Sequence, residues 1–262
     1  MHNIFEFQKM KMAKEKISMI TCYDFTSAKI VDKTDIDCVL VGDSVSMVMH
    51  GCHDTTGATL EMMALHTRAV AKGMMNKFII ADLPFASYRK SLSETITAME
   101  VLIRAGAHAV KLEGASGNLD HIRHAVESGI PVMGHLGLTP QHVNILGGFK
   151  VQGKDETSQN KLLSDAKLLE EVGCFAVVLE CMPAELAEQI TNALSIPTIG
   201  IGAGLYTDGQ VLVMHDLLGL QTAIKPKFLK HYFNGESAFT NSINCFVSEV
   251  KEKQYPTVEH SY

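Results

Sequence analysis

Four apolar runs of this chain each end on one carboxylate: VLVGD at 39–43, FIIAD at 78–82, AVKLE at 109–113 and AVVLE at 176–180. An acid closing a buried run carries a heavy desolvation cost unless it is paired. Four of them ask for a shared cation or a shared reaction. Asp43 and Asp82 are the best metal ligands of the four. Two hard carboxylates, with room left for water and substrate oxygens, suit Mg²⁺. Taken alone, each aspartate would serve equally well as a helix N-cap after a strand. Glu113 and Glu180 can divide the remaining work, one supporting the metal and the other acting as a base; salt bridges in surface loops are the alternative. Lys111 stands two residues before Glu113, so strand alternation puts both side chains on one face. There the lysine can pair with a substrate carboxylate or with the acids. His135 closes the run PVMGH and is a candidate for a hydrogen bond to a substrate oxygen or for proton relay.

These residues need a scaffold that gathers strand ends. Strand-like runs at 17–23, 38–44, 78–83, 109–114, 131–136, 174–181, 197–203 and 211–215 alternate with helical patterns at 60–72, 92–105, 119–127, 158–172 and 184–193. Such βαβα order predicts a parallel sheet. The count of eight favours closure into an α/β, (β/α)₈ TIM barrel over an open doubly wound sheet. LIRAGAHAVKLEGA at 102–115 echoes LEEVGCFAVVLECM at 169–182, which puts Glu113 and Glu180 at equivalent places in a repeat. In a closed barrel the strand C-termini share the face where barrel enzymes keep their active sites. The long connections at 45–59 and 137–157 read as site walls or lids. Residues 1–262 form one domain in this expectation, with a lead-in at about 1–16 and a helical segment and polar tail at about 226–262.

Bulk properties narrow the class. A formal net charge of −6 argues against a nucleic-acid partner, and no apolar stretch approaches the ~20 residues of a membrane span. The charged first residues lack a secretory h-region, so a cytoplasmic location is expected. The six cysteines show no C-x-x-C spacing and read as reduced core residues, with Cys22 or Cys181 as a catalytic thiol the weaker alternative. Neither clustered cysteines nor an H-E-x-x-H pattern points to a zinc hydrolase. The glycine-rich GIGAG at 200–204 lacks the helix of a dinucleotide fingerprint and reads as a tight strand end.

The segments ITCYDFTSAKI, VGDSVSMV, HTRAVAKG, IIADLPFASY, AGAHAVKLEG, VMGHLGLTPQHVNILGGFKVQGK, VVLECMP, PTIGIGAG and DGQVLVMHDLLGL resemble the ketopantoate hydroxymethyltransferase family nearly end to end. The resemblance implies a (β/α)₈ barrel, Mg²⁺, and hydroxymethyl transfer from 5,10-methylenetetrahydrofolate to 3-methyl-2-oxobutanoate, giving 2-dehydropantoate for pantothenate and coenzyme A synthesis. It implies metal contacts at Asp43, Asp82 and Glu113. Oxo-acid contacts fall on Asp43, Ser44, Asp82 and Lys111, and the proton acceptor is Glu180. Small-molecule substrates and a homo-oligomer, often a decamer, come with it. Departures from the family pattern lie in loops, at Ser46, at Thr56-Gly57 and at Leu205-Tyr206-Thr207. A Mg²⁺-dependent carbon–carbon lyase or phosphonomutase on a similar barrel is the rival; it would need a loop cysteine, for which Cys52 is the candidate.

Overall fold

Alternation within each strand decides which side chains fill the interior and which reach its mouth. In the computed structural model, which describes residues 3–221 and 226–262, the strands are β1 (Ile17–Thr21), β2 (Cys38–Val41), β3 (Phe78–Asp82), β4 (Ala109–Glu113), β5 (Val132–Gly137), β6 (Ala176–Glu180), β7 (Thr198–Ile201) and β8 (Gly209–Leu212). All neighbours pair in parallel and β8 closes on β1. The interior cluster takes every second residue: Ile17 and Met19, Cys38 and Leu40, Phe78 and Ile80, Ala109, Met133, Ala176 and Val178, Ile199, Val211. Continuing that series by two or four residues reaches Asp82, Lys111, Glu113, His135 and Glu180. The periodicity that packs the core therefore aims the polar residues into the same interior at the strands' C-terminal ends.

The helices are α1 (Ile4–Ala13), α2 (Phe25–Val31), α3 (Val45–Val48), α4 (Leu60–Gly73), α5 (Leu92–Arg104), α6 (Leu119–Glu127), α7 (Val143–Leu146), α8 (Glu156–Glu171), α9 (Ala184–Ala193), α10 (Met214–Leu217) and α11 (Gly235–Lys251). Their starts follow capping chemistry. Thr59 accepts from Met62 N ahead of α4, and Ser91 with Glu94 forms a capping box ahead of α5. The lead-in is more ordered than its composition suggests. Helix α1 inserts Phe7, fully buried, between Phe78 and Phe175 at ring-centroid distances of 5.5 and 5.1 Å. That aromatic trio plugs the N-terminal end of the barrel, and Lys11 pins the helix there through Asp208, 2.9 Å away.

The eighth strand differs from its expected span of 211–215. Met214–Leu217 is helical, and the strand begins earlier, at Gly209. Asp208 explains the early start: its carbonyl accepts from Ile17 N and its carboxylate from Thr198 N, both at 2.9 Å. A polar stretch that reads as loop is thereby stitched between β7 and β1. Both long connections contain short helical turns, at Val45–Val48 and Thr55–Gly57 in one and at Pro140–His142 and Val143–Leu146 in the other.

The chain divides into two compact units, Met1–Val213 and Met214–Tyr262. The first is the barrel. In the second, Tyr232 N donates to Leu217 O and Gly235 N to Leu218 O, both at 2.9 Å, tying the segment before α11 to α10. Phe239, Ile243, Phe246 and Val250 of α11 are exposed at a spacing that puts them on one helical face. Among the described residues no helix is long and apolar enough to cross a membrane.

Candidate active site

Asp82, Lys111, Glu113 and His135 are each at most 5% exposed, as is Asp43, which follows β2. Strand register brings them together: Asp82 lies opposite Lys111, and Glu113 opposite His135. Asp43 falls outside the interior-facing alternation and enters by a backbone contact, its N–H donating to Asp82 Oδ2 at 3.1 Å. Lys111 Nζ is 3.1 Å from Asp82 Oδ1 but without the alignment of a hydrogen bond, so that buried oxygen keeps an unfilled lone pair. The ammonium is also 3.3 Å from His135 Nδ1. His135 spans two acids, Nδ1 lying 3.6 Å from Glu113 Oε1 and Nε2 3.2 Å from Glu180 Oε2. Glu180 is the most accessible of the group, its side chain 16% exposed at the rim. Ser44 Oγ and Tyr23 OH share a hydrogen bond of 2.8 Å beside Asp43. All seven residues singled out in the sequence therefore lie at one mouth.

The electrostatics are those of a crowded anionic cup. Burial, then the neighbouring Asp82 and Glu113, raises the Asp43 carboxyl well above the ordinary carboxylate range. Burial also raises Asp82, against the pull of Lys111. Burial acts on Glu113 in the same sense, but the neighbouring His135 and His142 rings, with Lys111, outweigh it and lower the group to about 2. Burial would depress Lys111, yet Asp82, Glu113 and Asp43 together hold it above its usual value. For His135, burial and Lys111 push down while Glu113 and Glu180 push up harder, to about 9. His135 lies between the two glutamates. Four carboxyl groups crowd around one lysine and one histidine, and the raised Asp43 and Asp82 register that crowding. A divalent cation would relieve it.

Several contributors gave no signal at the level of strand ends. Gln141, on the turn Pro140–His142, is buried; its amide donates to Asp43 Oδ2 and its backbone N–H to Glu113 Oε2. Tyr88 donates to Gln141 Oε1 at 2.7 Å. His142 Nδ1 lies 3.7 Å from Glu113 Oε2. Gln141 and Tyr88 sit inside the segments HLGLTPQ and DLPFASY, but an amide and a phenol in loops carry no pattern that sets them apart. The thiol alternatives fare less well. Burial pushes Cys22 up to about 11 and, with Glu180 adding to it, Cys181 up to about 12; neither is poised as a thiolate. Cys52 is a half-buried free thiol in the loop after β2, and its sulfur leaves no room for a side chain at Gly57.

Solved structures with a similar fold include phosphoenolpyruvate phosphomutase from Streptomyces platensis subsp. rosaceus (TM-score 0.65, 11% identity, covering 96% of this chain and 88% of that one). Phosphonopyruvate hydrolase in complex with oxalate and Mg²⁺ matches with a TM-score of 0.64 at 11% identity, over 99% of this chain and 93% of its own. At that identity the likeness concerns the barrel alone. Sequence relatives are far nearer. A 3-methyl-2-oxobutanoate hydroxymethyltransferase from Francisella tularensis subsp. tularensis (strain WY96-3418) is 57% identical over 262 residues, covering 100% of this chain and 99% of the relative. One from Bdellovibrio bacteriovorus is 56% identical over the full length of both chains. The sequence model of the ketopantoate hydroxymethyltransferases matches residues 2–258, so the transferase is favoured over the lyase or phosphonomutase, and the chain belongs to the ketopantoate hydroxymethyltransferase family.

Proposed function

We propose that this enzyme transfers a hydroxymethyl group from 5,10-methylenetetrahydrofolate to 3-methyl-2-oxobutanoate, giving 2-dehydropantoate, with Mg²⁺ as its metal and Glu180 as its base. The observation that carries the proposal is the crowding of buried acids at the mouth. Buried acids outnumber buried cations, Asp82 Oδ1 keeps an unfilled lone pair, and a more accessible glutamate stands at the rim. The donor set fits a hard divalent ion, since every candidate ligand is a carboxylate oxygen. No three acidic, histidine or cysteine side chains among the described residues are already arranged around a metal position; their present partners are one another, Lys111 and Gln141. Asp43 and Asp82 would hold the ion, with Glu113 next to them and already engaged by Gln141 and the two histidines. When bound, Mg²⁺ supplies Lewis-acid polarisation of the 2-oxo group, which acidifies the hydrogen on C3.

The remaining steps belong to side chains. Lys111 pairs with the substrate carboxylate and keeps the acid-rich cup from repelling it. Ser44, backed by the Tyr23 phenol, offers a hydroxyl to the same end of the molecule. Glu180 takes the C3 proton. His135 Nε2 faces Glu180 Oε2, which leaves Oε1 for the substrate. The carbanion equivalent at C3 forms the new C–C bond to the one-carbon unit; one water is consumed, the carbon arrives as CH₂OH and tetrahydrofolate leaves. A cytoplasmic location and assembly as a homo-oligomer, a decamer by the family resemblance, complete the proposal. Incubation with 3-methyl-2-oxobutanoate, methylenetetrahydrofolate and Mg²⁺, with and without chelator, tests it. Formation of 2-dehydropantoate that stops on chelation is expected, and turnover that ignores folate would exclude it.

A further inference from the structure

Gln141 makes more directed contacts with the acidic cup than any residue so far given a role there. Its side-chain amide has both ends fixed by chemistry. Nε2 donates to Leu83 O at 2.9 Å, a carbonyl that can only accept, and to Asp43 Oδ2 at 2.8 Å. Oε1 accepts from Tyr88 OH at 2.7 Å. The Tyr88 phenol, kept neutral by burial, accepts in turn from Glu113 N at 3.3 Å. The ring of bonds closes where Gln141 N donates to Glu113 Oε2 at 3.0 Å. One residue, 3% exposed, thus ties the end of β2, the residue after β3 and the end of β4 to the long loop after β5.

We propose that Gln141 is a positioning residue: its amide and backbone N–H fix which oxygens of Asp43 and Glu113 stay free for a divalent cation, and Tyr88 fixes the amide. This rests on the reading that such a cation binds there. Asp43 needs such a guide because it lies beyond β2 and no strand alternation aims it. A second consequence concerns the loop: Pro140–His142 must be folded onto the barrel before the carboxylates are correctly presented.

The test uses Mn²⁺ as a paramagnetic probe on the whole enzyme, with bound and free ion separated by electron paramagnetic resonance. Gln141→Met keeps the volume and removes every side-chain hydrogen bond; Tyr88→Phe removes only the bond that orients the amide. We expect Gln141→Met to weaken Mn²⁺ binding by about 10- to 100-fold, the range for lost outer partners of metal ligands, with Tyr88→Phe weaker in the same direction. The Mg²⁺ concentration that half-activates Gln141→Met should rise by a similar factor, a shift that a merely structural role for the amide would not produce. Both variants binding Mn²⁺ within about threefold of wild type while melting normally would overturn the role of Gln141. Wild-type enzyme that binds no Mn²⁺ would overturn the cation reading itself, and this inference with it. If Gln141→Met does not fold, Tyr88→Phe decides alone.

Discussion

Lys111 is tolerable inside the barrel only because its neighbours are acids, and the converse holds for Asp82. Breaking a buried pair strands a charge and costs about 3–5 kcal/mol. Lys111→Met should therefore lower unfolding stability by about 3 kcal/mol in the absence of divalent ions. Because the variant leaves one more negative charge unmatched, added Mg²⁺ should recover part of the loss, more than it stabilises the wild type. Thermal melts with excess magnesium chloride and with chelator read both effects; a loss that Mg²⁺ leaves untouched would mean the acids do not share an ion. The same variant should raise the KM for the oxo acid by about tenfold, the worth of one charge-assisted hydrogen bond.

Strand ends carry this site, and strand ends are what the sequence displays best. Asp82, Glu113 and Glu180 are visible as single acids after apolar runs, and Lys111 as the partner two residues back. The parallel, eight-stranded architecture follows from the same runs. Other features are not legible because they depend on contacts between segments far apart in the chain. Gln141 reaches Asp43 from a loop 98 residues away, and Asp208 makes strand out of a polar stretch by accepting hydrogen bonds from Thr198 of β7 and from Ile17 at the start of β1. Helix α1 hides in a charged lead-in, because only Phe7 of its residues is buried. Gly137 shows how tightly one element end constrains another. Its φ is +93°, and a Cβ there would stand 2.1 Å from Glu180 O. Gly137→Ala should cost about 1–3 kcal/mol from backbone strain alone, with the collision added. Displacing Glu180 should lower kcat more than it changes the KM of the oxo acid. A urea melt with steady-state kinetics checks this; unchanged kcat would free Glu180 from its dependence on that loop.

At the scale of the whole molecule the two ends of the barrel divide their duties. The N-terminal end is shut by Phe7, Phe78 and Phe175, while the C-terminal end holds the ionisable groups. Removing the plug should affect stability and spare chemistry. Phe7→Ala should cost about 3–5 kcal/mol, or roughly 6–20 °C in Tm for a chain of this size. Its kcat/KM at 25 °C should stay within about twofold of wild type, since no contact of Phe7 reaches the acids. A stable Phe7→Ala with impaired turnover would show that the two ends are coupled.

The most direct measurement follows hydrogen on C3 of 3-methyl-2-oxobutanoate in D₂O by proton NMR, with no folate present. The enzyme with Mg²⁺ should wash the signal out; chelator should stop the exchange and fresh Mg²⁺ restore it. Glu180→Gln should bind the oxo acid yet leave C3 protonated. Exchange that survives chelation, or that proceeds undiminished in Glu180→Gln, would contradict the account.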